Sequence, residues 1–384
     1  MLKKILIIIG TRPEATKMAP VINELEKKSD LFETIVIVTG QHREQLYQAL
    51  NDFNIKPDYD LNIMKTQQAV SYITTEAISL LTPLVEELKP DLILVHGDTQ
   101  TTLSASLTAY FNKIPFGHIE AGLRTHNKYS PWPEEGNRKI TDSIADLLFA
   151  PTLNSKNNLL KEGCNPANIF ITGQTAVDAA LNTFTPQYVF KEKSLNELIH
   201  NEESSIITIT AHRRENYGEA MLNIFTAIKR LSNEFPNSTM IYPVHLSPYI
   251  RDLSASILSD QKNIILIEPL GYTDMINLIA RSQLILSDSG GIQEEAAVFN
   301  IPLVLMRDTT ERPEAVDAGK IVVSGTNEER IFSLAKNILE DCTVYHTMAN
   351  APNPFGDGIA SQRIVQILEY YFKLNTTLPK DFSL

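Results

Sequence analysis

Short apolar runs alternate along this chain with stretches whose apolar positions recur every three or four residues. Runs at 5–9, 34–38, 91–95, 116–119 and 147–150 read as strands buried on both faces. The stretches at 15–28, 43–52, 101–112 and 135–145 read as the amphipathic helices between them. That rhythm predicts βαβ units and a parallel sheet covered on both sides. Near 181–202 the periodicity gives way to a polar, proline-containing stretch that reads as a linker. A second series follows, with strands at 205–210, 240–243, 264–267, 284–286 and 301–305 and helices at 219–235, 273–281 and 290–298. After a turn-rich segment at 352–358, a last helical pattern at 359–374 is expected to return to the first domain. The expected fold is α/β: two doubly wound Rossmann-like domains facing across a cleft. Residues 1–180 form the first, with 359–384 packed back on it, and 203–358 form the second. Ligands of this architecture bind beyond the carboxyl ends of the strands, so the chemistry should lie just after the apolar runs.

Composition narrows the picture. A length of 384 residues suits two cores better than one. With 43% apolar and 21% charged side chains the chain should fold throughout. Residues 1–10 carry lysines and an apolar run, yet charge and turn residues follow at once, which suits a buried strand rather than a signal peptide. No run approaches a bilayer span. A net charge of -12 argues against a general nucleic-acid surface, so an anionic ligand must be caught locally. Two widely separated cysteines, Cys164 and Cys342, point to a reducing compartment, with cytoplasm the default. Metal-ligand spacings such as HExxH or paired CxxC are absent from the sequence, and neither metal nor cofactor is expected.

Five post-strand segments gather chemistry. Gly10-Thr11-Arg12-Pro13-Glu14, with Lys17 on the helix that follows, offers a glycine turn, main-chain N–H groups and two cations as a phosphate cradle; a plain charged turn is the alternative. Ser287-Asp288-Ser289-Gly290-Gly291 places a capping serine and two glycines where a diphosphate could approach helix amides, or simply caps a helix. Asp98, Glu120 and Glu134 are carboxylates suited to proton transfer or hydroxyl binding; the structural alternatives are a cap at Asp98 and an ion pair of Glu134 with Arg138. His212-Arg213-Arg214, with His245 after the next strand, could meet phosphate or a leaving group. The charged turn at 306–314, holding Arg312, follows another strand end.

Together, GTRPEA with KMAP, HGDT, HIEAGLRT, SPWPEEGNR, AHRREN, YPVHL, SDSGGIQEEA and MRDTTERPEA resemble, in order and across nearly the whole chain, the non-hydrolysing bacterial UDP-N-acetylglucosamine 2-epimerases. The resemblance implies a glycosyltransferase-B type fold, UDP-N-acetylglucosamine and UDP as ligands, and a homodimer. The implied activity is reversible inversion at C2 of the sugar through loss and re-addition of UDP. Carried over by motif, it implies Asp98, Glu120, Glu134 and His212 as catalytic. Substrate contacts would come from Arg12, Lys17, Arg138, His245, Ser289, Gly290, Gly291, Glu295 and Arg312, with main chain near Leu270 and Met275 beside uracil. Gln41, His42, Arg43, Glu134 and Arg213 resemble an allosteric contact set, although Glu44 and Gln67 stand where some regulated members carry Gln and Arg. A hydrolysing epimerase and a non-catalytic UDP-sugar sensor are the rival readings.

Overall fold

The computed structural model describes residues 2–40, 43–65, 68–199, 205–310 and 312–383. It divides into two compact units, one of Met1–Asn182 with Gly356–Ser383 and one of Thr183–Phe355.

The first unit is built on β1 (Lys3–Ile9), β2 (Phe32–Val38), β3 (Tyr59–Asp60), β4 (Leu92–His96), β5 (Phe116–Ile119), β6 (Leu147–Ala150) and β7 (Ile169–Ile171). They lie in the order β3-β2-β1-β4-β5-β6-β7 and pair in parallel throughout. Because side chains alternate along a strand, β1 feeds two cores at once. Ile5, Ile7 and Ile9 enter one with Met18 and Ile22 of helix Arg12–Glu26, while Leu6 and Ile8 enter the other. Burial of each such side chain contributes about 1.5–3 kcal/mol. The second core is closed by Ile73, Ala77, Leu81 and Val85, one face of helix Val70–Leu88. Sequence reading names no helix there, since Thr74, Thr75, Thr82 and Pro83 weigh against one. The threonine hydroxyls instead bond back to the carbonyls of Val70, Ser71 and Ile78 within the helix. Helix Ala360–Tyr371 joins the first core through Ile364, Val365, Ile367 and Leu368, and buried Asp178 accepts from the amides of Ala360 and Ser361 at its start.

The second unit holds β8 (Ile206–Thr210), β9 (Thr239–Pro243), β10 (Ile264–Ile267), β11 (Leu284–Ser287), β12 (Leu303–Leu305) and β13 (Ile321–Val323), ordered β10-β9-β8-β11-β12-β13 and parallel. The stretch expected as a linker, 181–202, is largely part of this unit. Phe190 and Leu195 share a core with Ile206, Ile241 and Leu278, and the Tyr188 hydroxyl donates to Asp274 at 2.7 Å. Its few apolar residues follow no single period, which is why it reads as a connection. Counted from its first strand, each sheet runs third, second, first, fourth, and the strand order reverses between β1 and β4 and between β8 and β11. Crossovers leave such a point in opposite directions and open a crevice there. Among the described residues no helix is long and apolar enough to cross a membrane.

Candidate functional site

In the first unit the exits of three other strands deliver side chains to Glu120. Lys17, on the helix after β1, places Nζ 2.5 Å from Glu120 Oε1, and Gln174, after β7, donates to the same oxygen at 2.8 Å. His96, the last residue of β4, holds Nε2 3.6 Å from Oε2. Burial pushes the His96 imidazole down to about 3, against the pull of Glu120, so it stands neutral beside the carboxylate. Glu120 itself has φ +72°, a left-handed conformation that costs a residue with a side chain about 1 kcal/mol or more. Its own amide and that of Ala121 both donate to the Phe149 carbonyl at 3.1 Å, which holds the turn in place. Gly97 lies close by: a methyl group there would sit 3.3 Å from Glu120 Oε2, and its φ of +71° already suits glycine.

Asp98 leaves β4 at the level where Glu120 leaves β5, because His96 and Ile119 are paired in register. It forms a very short ion pair with Arg138, which also meets buried Glu135 at 3.3 Å. The alternative in which Arg138 pairs with Glu134 is therefore corrected. Glu134 opens helix Glu134–Ile144, and Glu135 turns inward to accept from the amides of Thr125 and His126 at 3.0 Å. Lys17, read as part of a phosphate cradle, is directed at Glu120 instead. Arg12 remains the half-buried cation of that loop, without an ion pair among the described residues.

Glu14, in the same loop, received no role from sequence. Its carboxylate is buried and accepts from the Gly10 amide at 3.1 Å and from the hydroxyls of Thr11 at 2.8 Å, Thr99 at 2.8 Å and Thr102 at 3.1 Å. It thereby ties the loop after β1 to the loop after β4. Burial pushes this carboxyl up to about 7 despite those hydrogen bonds. A glutamate near the start of a helix, followed in the chain by a Thr-rich strand exit, was the available signal; no local pattern says the two meet.

In the second unit the corresponding crevice is arranged around buried Asp288. It accepts from the amides of His212 at 2.9 Å and Arg213 at 2.8 Å, and from Asn216 Nδ2 at 3.2 Å. The His212 ring stacks on His245 with centroids 5.1 Å apart and planes 11° off parallel. Burial holds the His212 pKa below the ordinary histidine value; Asp288 opposes that, while His245 and Arg213 reinforce it. His245 Nδ1 accepts from the Ser247 amide at 3.1 Å, so its proton, when neutral, sits on Nε2. Beside it, Ser289 occupies the N-cap position of helix Gly290–Val298 but its side chain makes no capping bond. That corrects the expected cap and leaves the first-turn amides without a hydrogen bond from the serine side chain.

Arg312 joins buried Glu294 at 2.6 Å, while Glu295 lies half-buried on the same helix. Leu270 and Met275 pack with Phe190 and Leu278, so their side chains serve the core. Arg213 keeps a buried Nε without a hydrogen-bond partner. Gln41, His42 and Gln67 lie outside the described residues, as do the side chains of Arg43 and Glu44. Among the described residues no three His, Cys, Asp or Glu side chains converge as a metal site.

Two parallel sheets of one strand order, each with charged groups gathered beyond the strand ends at its reversal point, define an α/β protein of the glycosyltransferase-B type. Residues 23–369 match the family described as UDP-N-acetylglucosamine 2-epimerase. The chain is 49% identical over 380 residues to the UDP-N-acetylglucosamine 2-epimerase of Bacillus subtilis, covering 99% of this chain and 98% of that one. Among solved structures, S. aureus MnaA with UDP superposes with a TM-score of 0.90 at 46% identity, covering 100% of both chains. The Neisseria meningitidis enzyme bound to UDP-GlcNAc gives 0.87 at 47% identity, covering 95% of this chain and 99% of that one. The chain belongs to the UDP-N-acetylglucosamine 2-epimerase family, in its non-hydrolysing bacterial branch.

Proposed function

We propose that this protein interconverts UDP-N-acetylglucosamine and UDP-N-acetylmannosamine by eliminating UDP and adding it back. The hydrogen on C2 is too weakly acidic for direct removal near neutral pH. If the C1–O bond breaks as a base takes that proton, its electrons leave with UDP and the ring becomes 2-acetamidoglucal. Protonation of C2 from the other face, with return of UDP to C1, yields the epimer. Such a reaction requires carboxylates at the ring and donors at the diphosphate, because only groups that bind the developing charges lower the barrier.

The observation that carries this reading is the Glu120 cluster: a carboxylate held in a strained turn, with Lys17 and Gln174 on one oxygen and a neutral histidine beside the other. Strain of this kind persists where the surroundings enforce it, and it concentrates at functional sites. Asp98, Glu120 and Glu134 serve proton transfer. Arg138 orients Asp98, and neutral His212 donates to the departing diphosphate. Ser289, Gly290 and Gly291 hold that diphosphate at the uncapped helix amides, Glu295 accepts from ribose, and main chain near Leu270 and Met275 meets uracil. Arg12, His245 and Arg312 supply further polar contacts, and Gln41, His42, Arg43 and Arg213 fit a second nucleotide-sugar contact set. The protein acts in the cytoplasm as a homodimer.

Incubation with UDP-N-acetylglucosamine in deuterated water, followed by proton NMR, tests the chemistry. Deuterium at C2 of UDP-N-acetylmannosamine is expected. Free N-acetylmannosamine would replace this reading by hydrolysis, and an unchanged spectrum would leave only a sensor.

A further inference from the structure

The motif HIEAGLRT contains three residues that the proposed chemistry does not use: His118, Gly122 and Arg124. All three converge on one side chain, Asp142 of helix Glu134–Ile144. Asp142 Oδ1 lies 2.6 Å from His118 Nδ1, while Oδ2 accepts from the Gly122 amide at 3.1 Å and from Arg124 Nη2 at 2.7 Å. The other imidazole nitrogen, Nε2, stands 2.7 Å from the Gly97 carbonyl. All five residues are buried, with Asp142 2% and His118 0% exposed.

Each contact lands beside a carboxylate of the proposed reaction. Gly97 precedes Asp98; His118 and Gly122 flank Glu120 by two residues on either side. A carbonyl can only accept, so His118 donates Nε2–H to Gly97, and Nδ1 faces a carboxylate that already receives two other donors. The ring therefore bridges the exits of β4 and β5 through both nitrogens. Gly122 leaves no slack at its end: a methyl group there would meet the Ser155 carbonyl oxygen at 2.3 Å. Arg124 extends the anchor outward, with Nε 3.0 Å and Nη2 2.7 Å from Glu162.

We infer that Asp142 and His118 are positioning residues: Asp142 fixes the strained turn of Glu120 and, through the His118 ring, the loop that carries Asp98. This rests on the reading of Asp98 and Glu120 as the proton-transfer groups. Misplacing a reacting group by about 1 Å can cost on the order of a hundredfold in rate, so a change at Asp142 should appear in turnover without any loss of nucleotide binding.

Asp142→Asn, His118→Gln and Arg124→Lys perturb the anchor by different amounts. For each, kcat, KM, deuterium entry at C2, UDP affinity by calorimetry and the folded fraction from melting are measured against wild type. Positioning predicts that kcat per folded molecule and C2 exchange fall roughly a hundredfold in Asp142→Asn and less in Arg124→Lys. It also predicts KM and UDP affinity within about threefold of wild type. Activity that merely tracks the folded fraction in all three, including a variant that does not fold, overturns the inference, as does wild-type kcat in folded Asp142→Asn. An inert wild type would instead remove the epimerase reading on which the inference rests.

Discussion

In the first unit a carboxylate in the first turn of the helix after β1, Glu14, reaches across to Thr99 and Thr102 beyond β4. In the second, Asp288 on the loop after β11 reaches back to the amides of His212 and Arg213 beyond β8. The problem is the same in both: where strand order reverses, the chain leaves two neighbouring strands in opposite directions, and no ladder bonds continue across the gap. One buried acid closes each gap, but with different partners. Asp288 meets two main-chain amides and the Asn216 side-chain amide nitrogen, which can only donate. Glu14 meets one main-chain amide and three hydroxyls, and the hydroxyls can turn to accept as well as donate; its carboxyl is pushed up to about 7. Around these clamps the units also diverge. The first gathers Asp98 and Glu120 with their cations, while the second gathers His212, His245 and uncapped helix amides. On the proposed reading, the first crevice serves proton transfer and the second holds the anion.

That division is most directly broken by neutralising the acids of the first unit. Glu120→Gln or Asp98→Asn should lower kcat by about 10²- to 10⁴-fold, the range for a lost acid–base group, with UDP affinity within a few fold of wild type by calorimetry. A large loss of UDP binding in either variant would show that the first unit holds the nucleotide as well.

Asp288→Asn probes the other side. It weakens charge-assisted bonds to two amides, each worth about 1.5–3 kcal/mol when intact, and frees the loop that carries His212. UDP affinity should fall by roughly tenfold to a hundredfold, whereas the rate with saturating substrate changes less. An unchanged dissociation constant would detach the His212 loop from nucleotide binding.

The positions of both crevices were legible in the sequence, because each follows an apolar run that stops at glycine, serine or charge. The clamps were not. Glu14 and Asp288 stand inside segments that sequence analysis marks, yet their partners lie on other strands, 85 residues from Glu14 for Thr99 and 76 residues from Asp288 for His212. Likewise Lys17 reads locally as a phosphate ligand, and only the fold directs it to Glu120. Helix Val70–Leu88 escaped notice for a different reason: its threonines satisfy their hydroxyls on their own helix, which composition cannot reveal. Ser289 shows the reverse error, a good capping residue whose side chain does not cap.

Glycines sharpen the contrast at smaller cost. A methyl group on Gly10 would lie 2.0 Å from Thr101 Oγ1, whereas one on Gly291 meets nothing within 4 Å. Gly10→Ala should therefore destabilise the first unit by about 1–3 kcal/mol through overpacking. Gly291→Ala should leave thermal stability within about 0.5 kcal/mol and weaken UDP binding, if the open space is where the diphosphate approaches. Equal melting shifts in the two variants would contradict this.

A difference that is spread over pH isolates Glu14. Its carboxyl is raised from 4.5 to about 7 on folding, chiefly by burial, so between those values the folded unit keeps a proton that the unfolded chain releases. That contribution to stability is full below 4.5 and lost as pH rises through 7. His96, lowered by burial from 6.5 to about 3, works in the opposite sense: its contribution is full above 6.5 and lost as pH falls toward 3. Asp178, also raised by burial, acts in the direction of Glu14. In the wild type these slopes offset one another, which hides each of them. In Glu14→Gln one is deleted and the rest remain, so the stability of the variant relative to wild type should climb with pH by about 1 kcal/mol per unit across 4.5–7. Hydrogen-exchange protection of the β1 and β4 amides at pH 5, 6 and 7 reads that difference within the first unit alone. The hydroxyl partners permit the substitution, because Thr99 and Thr102 can turn to accept from the new amide. A difference independent of pH would mean that Glu14 stays ionised in its clamp, and the two crevices would then be closed by the same chemistry after all.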